Sequence, residues 1–513
     1  ARNRVLWHNP ETEIVELLLA AKYLNKLGRN RLALWTARGI LPKISATLMQ
    51  DGGKNAVFML FRSEANRIIG DSLRKLGDSK NSRIAFHKAK DSVLAVADIE
   101  PALSDEATLQ QMDIFNTSFK LYLEMDDRNS AWESISRAIE MATSFLSGVG
   151  YKVLPMLLKC EELMENLFDT EMWNYDLLQT EKWLERIIMN CKRQQKEQEN
   201  ILIVSVQVRI LLFMARILLE KGEYENIVRY IDDVEKLLLL LGEKMRWRVD
   251  EWRKYSVEAK LLTAEAMVAQ AKIQKALEIV QQAQNIITRW DMDKYPYTLL
   301  LAVKNRVIGG IAYARMEEYD NANSWLNAGV SIAENALNKN LVDNPVYIHH
   351  ICGDAYQELA RIELNNKMNS RANMMAQRGI EHLMEVLPIL DSPNLRFLLT
   401  EMYMFLLQTS SDSPFEIVSA LDAAVAMLIA GCNMSKTQHS KAIRLAEDLF
   451  QYAIRIIPQM DNTPGMKIAI TALSLYPFLH NNEYREQAQE RKKHTGVIKR
   501  VWRKIRGKSD ETI

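Results

Sequence analysis

The sequence predicts an all-α fold built as an array of antiparallel helical hairpins. Three observations carry this. Apolar residues recur at three- and four-residue steps almost from end to end, as in Leu261, Ala264, Val268 and Ala269, which is the period of an amphipathic helix. Gly (19) and Pro (12) are scarce for 513 residues, which leaves little turn material for a β-rich fold. One spaced set of residues also returns along the chain, the mark of a repeat architecture.

The set is plainest at Gly70, followed by Leu73, Gly77, Ser82, Phe86 and Ala89. It recurs at Ala21 (Leu24, Gly28, Ala33, Ala37, Ile40) and at Phe119 (Tyr122, Asp126, Ala131, Ile135, Ala138). It recurs again at Ala215 (Leu218, Gly222, Ile227, Ile231, Val234), Ala264 (Met267, Ala271, Ala276, Val280, Ala283) and Gly310 (Tyr313, Glu317, Ala322, Leu326, Gly329). A shorter copy begins at Ala360 with Ala372, Ala376 and Gly379. Two antiparallel helices pack closely only where small residues meet, so each helix carries small positions with bulky ones filling the layer between. The glycines seven residues on, Gly28, Gly77 and Gly222, suit a reversal through the left-handed region.

Successive copies start 49, 49, 96, 49, 46 and 50 residues apart, so the period is near 48 and one copy is lost around residues 160–195. Over roughly residues 14–385 the small, aromatic and small positions resemble the tetratricopeptide repeat, whose usual length is about 34 residues. The longer period implies longer helices or longer loops. The resemblance implies a right-handed superhelical α-solenoid whose concave surface is lined by the first helix of each hairpin.

Breakers at Gln408–Pro414 and Pro458–Pro464 mark the boundaries. Residues 1–410 read as the repeat array. Residues 411–482 read as C-terminal helical repeats or a cap, with helices over 415–430, 436–457 and 465–478. Residues 483–513 read as a basic amphipathic helix and tail.

Lys+Arg (66) and Asp+Glu (65) nearly cancel, so global charge points to neither nucleic acid nor membrane. Cys160, Cys191, Cys352 and Cys432 are far apart and form no CxxC, which suits free thiols in a reducing compartment, the nucleus or the cytoplasm. No signal peptide is visible, and no uninterrupted apolar run approaches the length of a membrane span.

Signatures of cofactor binding and catalysis are missing: no GxGxxG, GxxxxGK[ST], HExxH, GxSxG, kinase set or EF-hand loop. Asp51-Gly52-Gly53-Lys54 lacks the rest of a phosphate loop and reads as a turn. His349-His350 with Cys352 lacks the further ligands a zinc site needs. Glu161-Glu162 and Glu317-Glu318 read as solvated helix faces, and Trp35, Trp132 and Trp325 as core of second helices. No enzyme, no cofactor and no metal are expected.

Two features point to partners. Arg67, Asp71, Arg74 and Lys75 in one repeat, Arg209 and Arg216 in another, and Lys304 and Arg315 in a third flank the small position of a first helix. They should face the groove, and their basic bias suits an acidic peptide or helix. In the tail, Arg491, Lys492, Lys493, Lys499, Arg500, Arg503 and Lys504 interleave with Val497, Ile498, Val501, Trp502 and Ile505 at helical spacing. That helix could dock on the array, direct the chain to the nucleus, or contact nucleic acid or a membrane surface.

The segment from Leu24 to Ala37, with Leu34-Trp35, and the block Tyr319-Asp320-Asn321-Ala322-Asn323-Ser324-Trp325-Leu326 are similar to hairpins of the meiotic crossover scaffold family, the sporulation/zip type. That resemblance implies a nuclear, chromosomal setting. The expected function is a protein-interaction scaffold binding a peptide or helix in its groove; the alternative is a regulatory module sensing a peptide or small ligand.

Overall fold

The computed structural model describes residues 10–456, apart from 147–152, 171, 198–199, 245–248, 290–295, 343–344, 390–391, 410–413 and 431–435, together with 468 and 471–472. The basic tail, including Arg491, Lys492, Lys493, Lys499, Arg500, Arg503 and Lys504, and most of the helix expected over 465–478 lie outside the described residues. Among the described residues there is no strand.

The chain runs α1 (Pro10–Lys26), α2 (Asn30–Gln50), α3 (Ala56–Lys75), α4 (Ser79–Ile99), α5 (Ser104–Glu124), α6 (Arg128–Phe145), α7 (Val153–Asp169) and α8 (Leu177–Glu197). It continues through α9 (Ile201–Lys221), α10 (Tyr224–Lys244), α11 (Val249–Ala269), α12 (Ile273–Ile287), α13 (Pro296–Arg315) and α14 (Tyr319–Asn338). Last come α15 (Pro345–Asn365), α16 (Asn369–Val386), α17 (Pro393–Thr409), α18 (Pro414–Ala430) and α19 (Lys436–Ile456). Two 3₁₀ turns, Pro101–Leu103 and Met172–Asp176, join α4 to α5 and α7 to α8. The extra length of the repeat sits in the helices: each hairpin helix spans 15 to 21 residues.

The chain forms two compact units, residues 1–175 with 182–206, and residues 176–181 with 207–513. In the first unit, α1 packs on α2, α3 on α4 and α5 on α6, and the first helices α1, α3 and α5 also touch one another in order. In the second unit, α11 packs on α12, α13 on α14, α15 on α16 and α17 on α18, while α11, α13, α15 and α17 touch in order. This is an array of antiparallel helical hairpins, each resting on its neighbours.

The spaced residue set has a structural cause at every rung. At the hairpin ends the position seven on is left-handed: φ is 74° at Gly28, 82° at Gly77 and 73° at Gly222. The same register holds Asp126 (55°), Ala271 (59°), Glu317 (63°) and Lys367 (60°), which are not glycine. The next residue's N–H then returns to the carbonyl of the position three on, as in Asp78 to Leu73 (2.9 Å) and Lys272 to Met267 (2.8 Å). These bonds close Schellman turns that satisfy the orphan carbonyls of the first helix. At the position twelve on, the Ser82 hydroxyl donates to the Gly70 carbonyl at 2.7 Å.

The lost copy lies in α7 and α8. Its small position is Phe168, whose ring stacks on Trp173 at 5.2 Å, and its turn is the 3₁₀ segment Met172–Asp176. Thr180, Leu184 and Ile187 keep the buried positions of the second helix.

Most tryptophans behave as expected, with one correction. Trp183 is fully buried, and Trp132 packs against it and stacks on Tyr175. Trp35, expected in the core, is 77% exposed on α2, because the apolar face of that helix, Ala33, Ala37, Ile40, Ile44 and Leu48, is the one buried. Cys160, Cys191 and Cys352 are free and buried. Among the described residues α9 alone is long and apolar enough to cross a membrane, and 78% of its most apolar stretch is buried inside the protein.

Candidate partner-binding surface

In the first unit the first helices carry a polar row, linked across helices at one-repeat spacing. Asn25 of α1 donates to Asp71 of α3 at 2.8 Å. Asp71 also takes Arg74 at 2.8 Å and Lys75 at 3.0 Å. Lys75 reaches back to Asn25 at 2.8 Å, and Arg74 reaches forward to Glu124 of α5. One level further in, Arg67 grips Glu64 through two bonds of 2.7 Å, and Lys22 of α1 approaches Glu64 at 3.6 Å. Asp113 and Asn116 of α5 continue the row to Lys159, Glu162 and Asn166 of α7.

The predicted residues Arg67, Asp71, Arg74 and Lys75 are thus brought together as one network. Burial works against Arg67, and the Glu64 carboxylate more than offsets it, so the guanidinium is held above its ordinary range. Burial would raise Asp71, yet Arg74 and Lys75 hold it below the ordinary carboxylate range.

In the second unit the first helices make a second polar row. Arg216 of α9 pairs with Glu258 of α11. Glu265 of α11 pairs with Lys304 of α13 at 2.8 Å. Arg361 of α15 pairs with Glu358 on its own helix and with Glu401 of α17 at 2.8 Å. Arg209 lies over the Tyr255 ring at 6.0 Å. Arg315, at the exposed end of α13, acts on Glu358 through space. These predicted residues are spread along the row rather than gathered at one point.

Sequence reasoning missed the centre of this row. Asp354 of α15 is half-buried and makes no hydrogen bond or ion pair among the described residues. Burial, with the Glu265 charge added and Lys304 opposing, pushes its carboxyl up to about 7. Glu220 of α9 is raised as well, chiefly by burial; Asn394 of α17 donates to it and His350 opposes the shift. Burial lowers the neighbouring His350. Four carboxylates (Glu220, Glu258, Glu265, Asp354) stand against three cations, Arg216, Lys304 and Lys254. Opposite charges 42 residues apart, such as Arg216 and Glu258, were the available signal.

His349 meets His382 of α16 through ring nitrogens 2.9 Å apart. No group of three metal-ligating side chains gathers among the described residues. Gly52 and Gly53 lie in a left-handed turn, φ 62° and 76°.

Neither a protein-family model nor a curated protein sequence matches the chain. Among solved structures, the apo form of RapI is similar at 12% identity, with 77% of this chain and 97% of that one covered and a TM-score of 0.40. A Rap protein complexed with competence and sporulation factor is similar at 12%, covering 88% and 100%, with a TM-score of 0.38. Yeast Tom70 is similar at 9%, covering 96% and 99%, with a TM-score of 0.27. At these TM-scores none of them bears on what this chain binds. The resemblance to meiotic crossover scaffolds finds no support in these comparisons.

Proposed function

We propose that the chain is a non-catalytic protein-interaction scaffold that holds a partner peptide or helix along the polar row of its first helices. The observation that carries this is Asp354: a half-buried carboxylate on the row that makes no ion pair among the described residues and feels Lys304 only through space. Leaving such a group without a counter-charge costs free energy in the unbound chain. A cation from a partner would remove that cost, so the binding energy is already stored in the site.

The expected acidic partner rested on Arg67, Arg74, Lys75, Arg209, Arg216, Lys304 and Arg315, of which Arg67, Arg74, Lys75, Arg216 and Lys304 are each matched by a carboxylate of the chain. The excess of carboxylates around Asp354 favours a partner segment that presents lysine or arginine. Selection of displayed random peptides on the intact chain tests this. Peptides rich in lysine or arginine should be enriched and should lose affinity about tenfold or more for Asp354→Asn, an isostere that keeps the packing. Enrichment of acidic peptides, or binding indifferent to Asp354→Asn, sinks this reading.

A further inference from the structure

We propose that a second site, on the opposite kind of surface, binds a phosphate monoester in a groove between α4 and α6. The groove is a cavity of about 240 Å³ in the first unit, floored by α5. It is smaller than the pockets that take drug-sized molecules. The proposal is independent of the polar row, because no residue of that row lines it.

The register of α4 builds one wall. Arg83, His87 and Lys90 follow at four and three residues, so they share one helix face. Arg137 of α6 stands on the other wall. Two aromatic rings of α5 hold the cations in place: Arg83 lies 5.9 Å from the Tyr122 ring, and Lys90 and Arg137 lie 5.6 Å and 6.0 Å from the Phe115 ring. Such contacts orient a cation while leaving its outer donors free.

Charge is unbalanced here, in contrast to the polar rows. Glu133 is the one lining carboxylate; it pairs with Arg137, and both are at least half exposed. Arg83 and Lys90 form no ion pair among the described residues; Asp127 feels Arg83 only through space. Arg83, Lys90 and Arg137 against Glu133 leave the lining a net charge of two positives.

The floor supplies the second half of the site. Ser118 of α5 and Ser134 of α6 both line the groove, and each is only 8% exposed. Neither hydroxyl has a hydrogen-bond partner among the described residues, so each is available to a molecule in the groove. Two groove-lining hydroxyls beside two cations that form no ion pair among the described residues fit a compact dianion with several acceptor oxygens. A phosphate monoester has close to two negative charges and three strong acceptors at neutral pH. A carboxylate has half that charge and one oxygen fewer.

The test is calorimetric titration of the intact chain with phenyl phosphate at low ionic strength. Saturable binding is expected. Arg83→Ala with Lys90→Ala should weaken it at least tenfold, and Ser134→Ala severalfold. Lys88→Ala, an exposed lysine of the same helix outside the groove, should leave it unchanged. Unaltered circular dichroism and melting temperature of each variant keep folding out of the comparison. Benzoate should bind much more weakly than phenyl phosphate. A short phosphotyrosine peptide, titrated in parallel, separates the sources. A tighter Kd assigns the phosphate to a protein segment and an equal Kd to a free ester, and both uphold the site. Absence of saturable binding, equal binding of benzoate, or binding unchanged in the double variant overturns it.

Discussion

The ring of Phe86 lies directly over the α-carbon of Gly70. A methyl group at residue 70 would come within 2.6 to 2.9 Å of three of its ring atoms. Phe86 is 4% exposed and has little room to yield. Gly70→Ala gains up to ~1 kcal/mol of helix propensity but forces an overpacked contact costing about 1–3 kcal/mol. Net destabilisation is expected in urea unfolding. Gly39, in the middle of α2, has open space around it, so Gly39→Ala should stabilise by up to ~1 kcal/mol. The same sign for both variants would refute the packing account.

The hairpin turns predict a second pair of opposite effects. Ala271 holds φ 59° at a position where Gly77 holds φ 82°. A non-glycine residue there costs about 1–2 kcal/mol of backbone strain. Ala271→Gly should therefore raise stability by ~0.5–1 kcal/mol, and Gly77→Ala should lower it by ~1 kcal/mol or more. Thermal unfolding of the two variants beside the parent checks both signs.

Asp71 serves three donors at once, Asn25, Arg74 and Lys75, and its side chain is 14% exposed. Asp71→Ala leaves two cations of the row short of a partner and should cost about 2–4 kcal/mol. Asp71→Asn keeps the hydrogen-bonding shape and should cost less. If Asp71→Ala unfolds at the same urea concentration as the parent, the row contributes nothing to stability.

Asp354 predicts a pH dependence whose sign is opposite to that of an ion-paired carboxylate. An unfolded aspartate titrates near 3.9, whereas in the fold Asp354 sits at about 7. Between those values the folded chain binds more protons than the unfolded one. This group's contribution to stability therefore falls as pH rises from about 4 to about 7, and the full penalty persists above 7. Asp354→Asn removes the penalty. The variant should be more stable than the parent by up to about 4 kcal/mol at pH 8, with the gap closing toward pH 4. Glu265, Lys304, Glu220 and His350 face the same space and are unchanged by the substitution. A gap that does not vary with pH counts against this account of Asp354.

The fold class, the hairpin register and the period were legible in the sequence because they are local. Small residues at Gly70 and Gly310, and the turn residues Gly28, Gly77 and Gly222, act on neighbours fewer than twenty residues away, and the Schellman bonds repeat the same step. The fourth copy escaped notice because Phe168 fills the small position and a 3₁₀ turn replaces the glycine. Charge on the first helices was legible only as composition. Whether Arg74 is free or bound depends on Asp71 beside it and on Glu124, 50 residues away. Stacking of hairpins decided that Arg67, Arg74, Lys75, Arg216 and Lys304 each meet a carboxylate, that Asp354 makes no ion pair among the described residues, and that Arg83, Lys90 and Ser134 line one groove. Periodicity records which face of a helix is apolar, but it does not record which distant charge the next repeat lays against it.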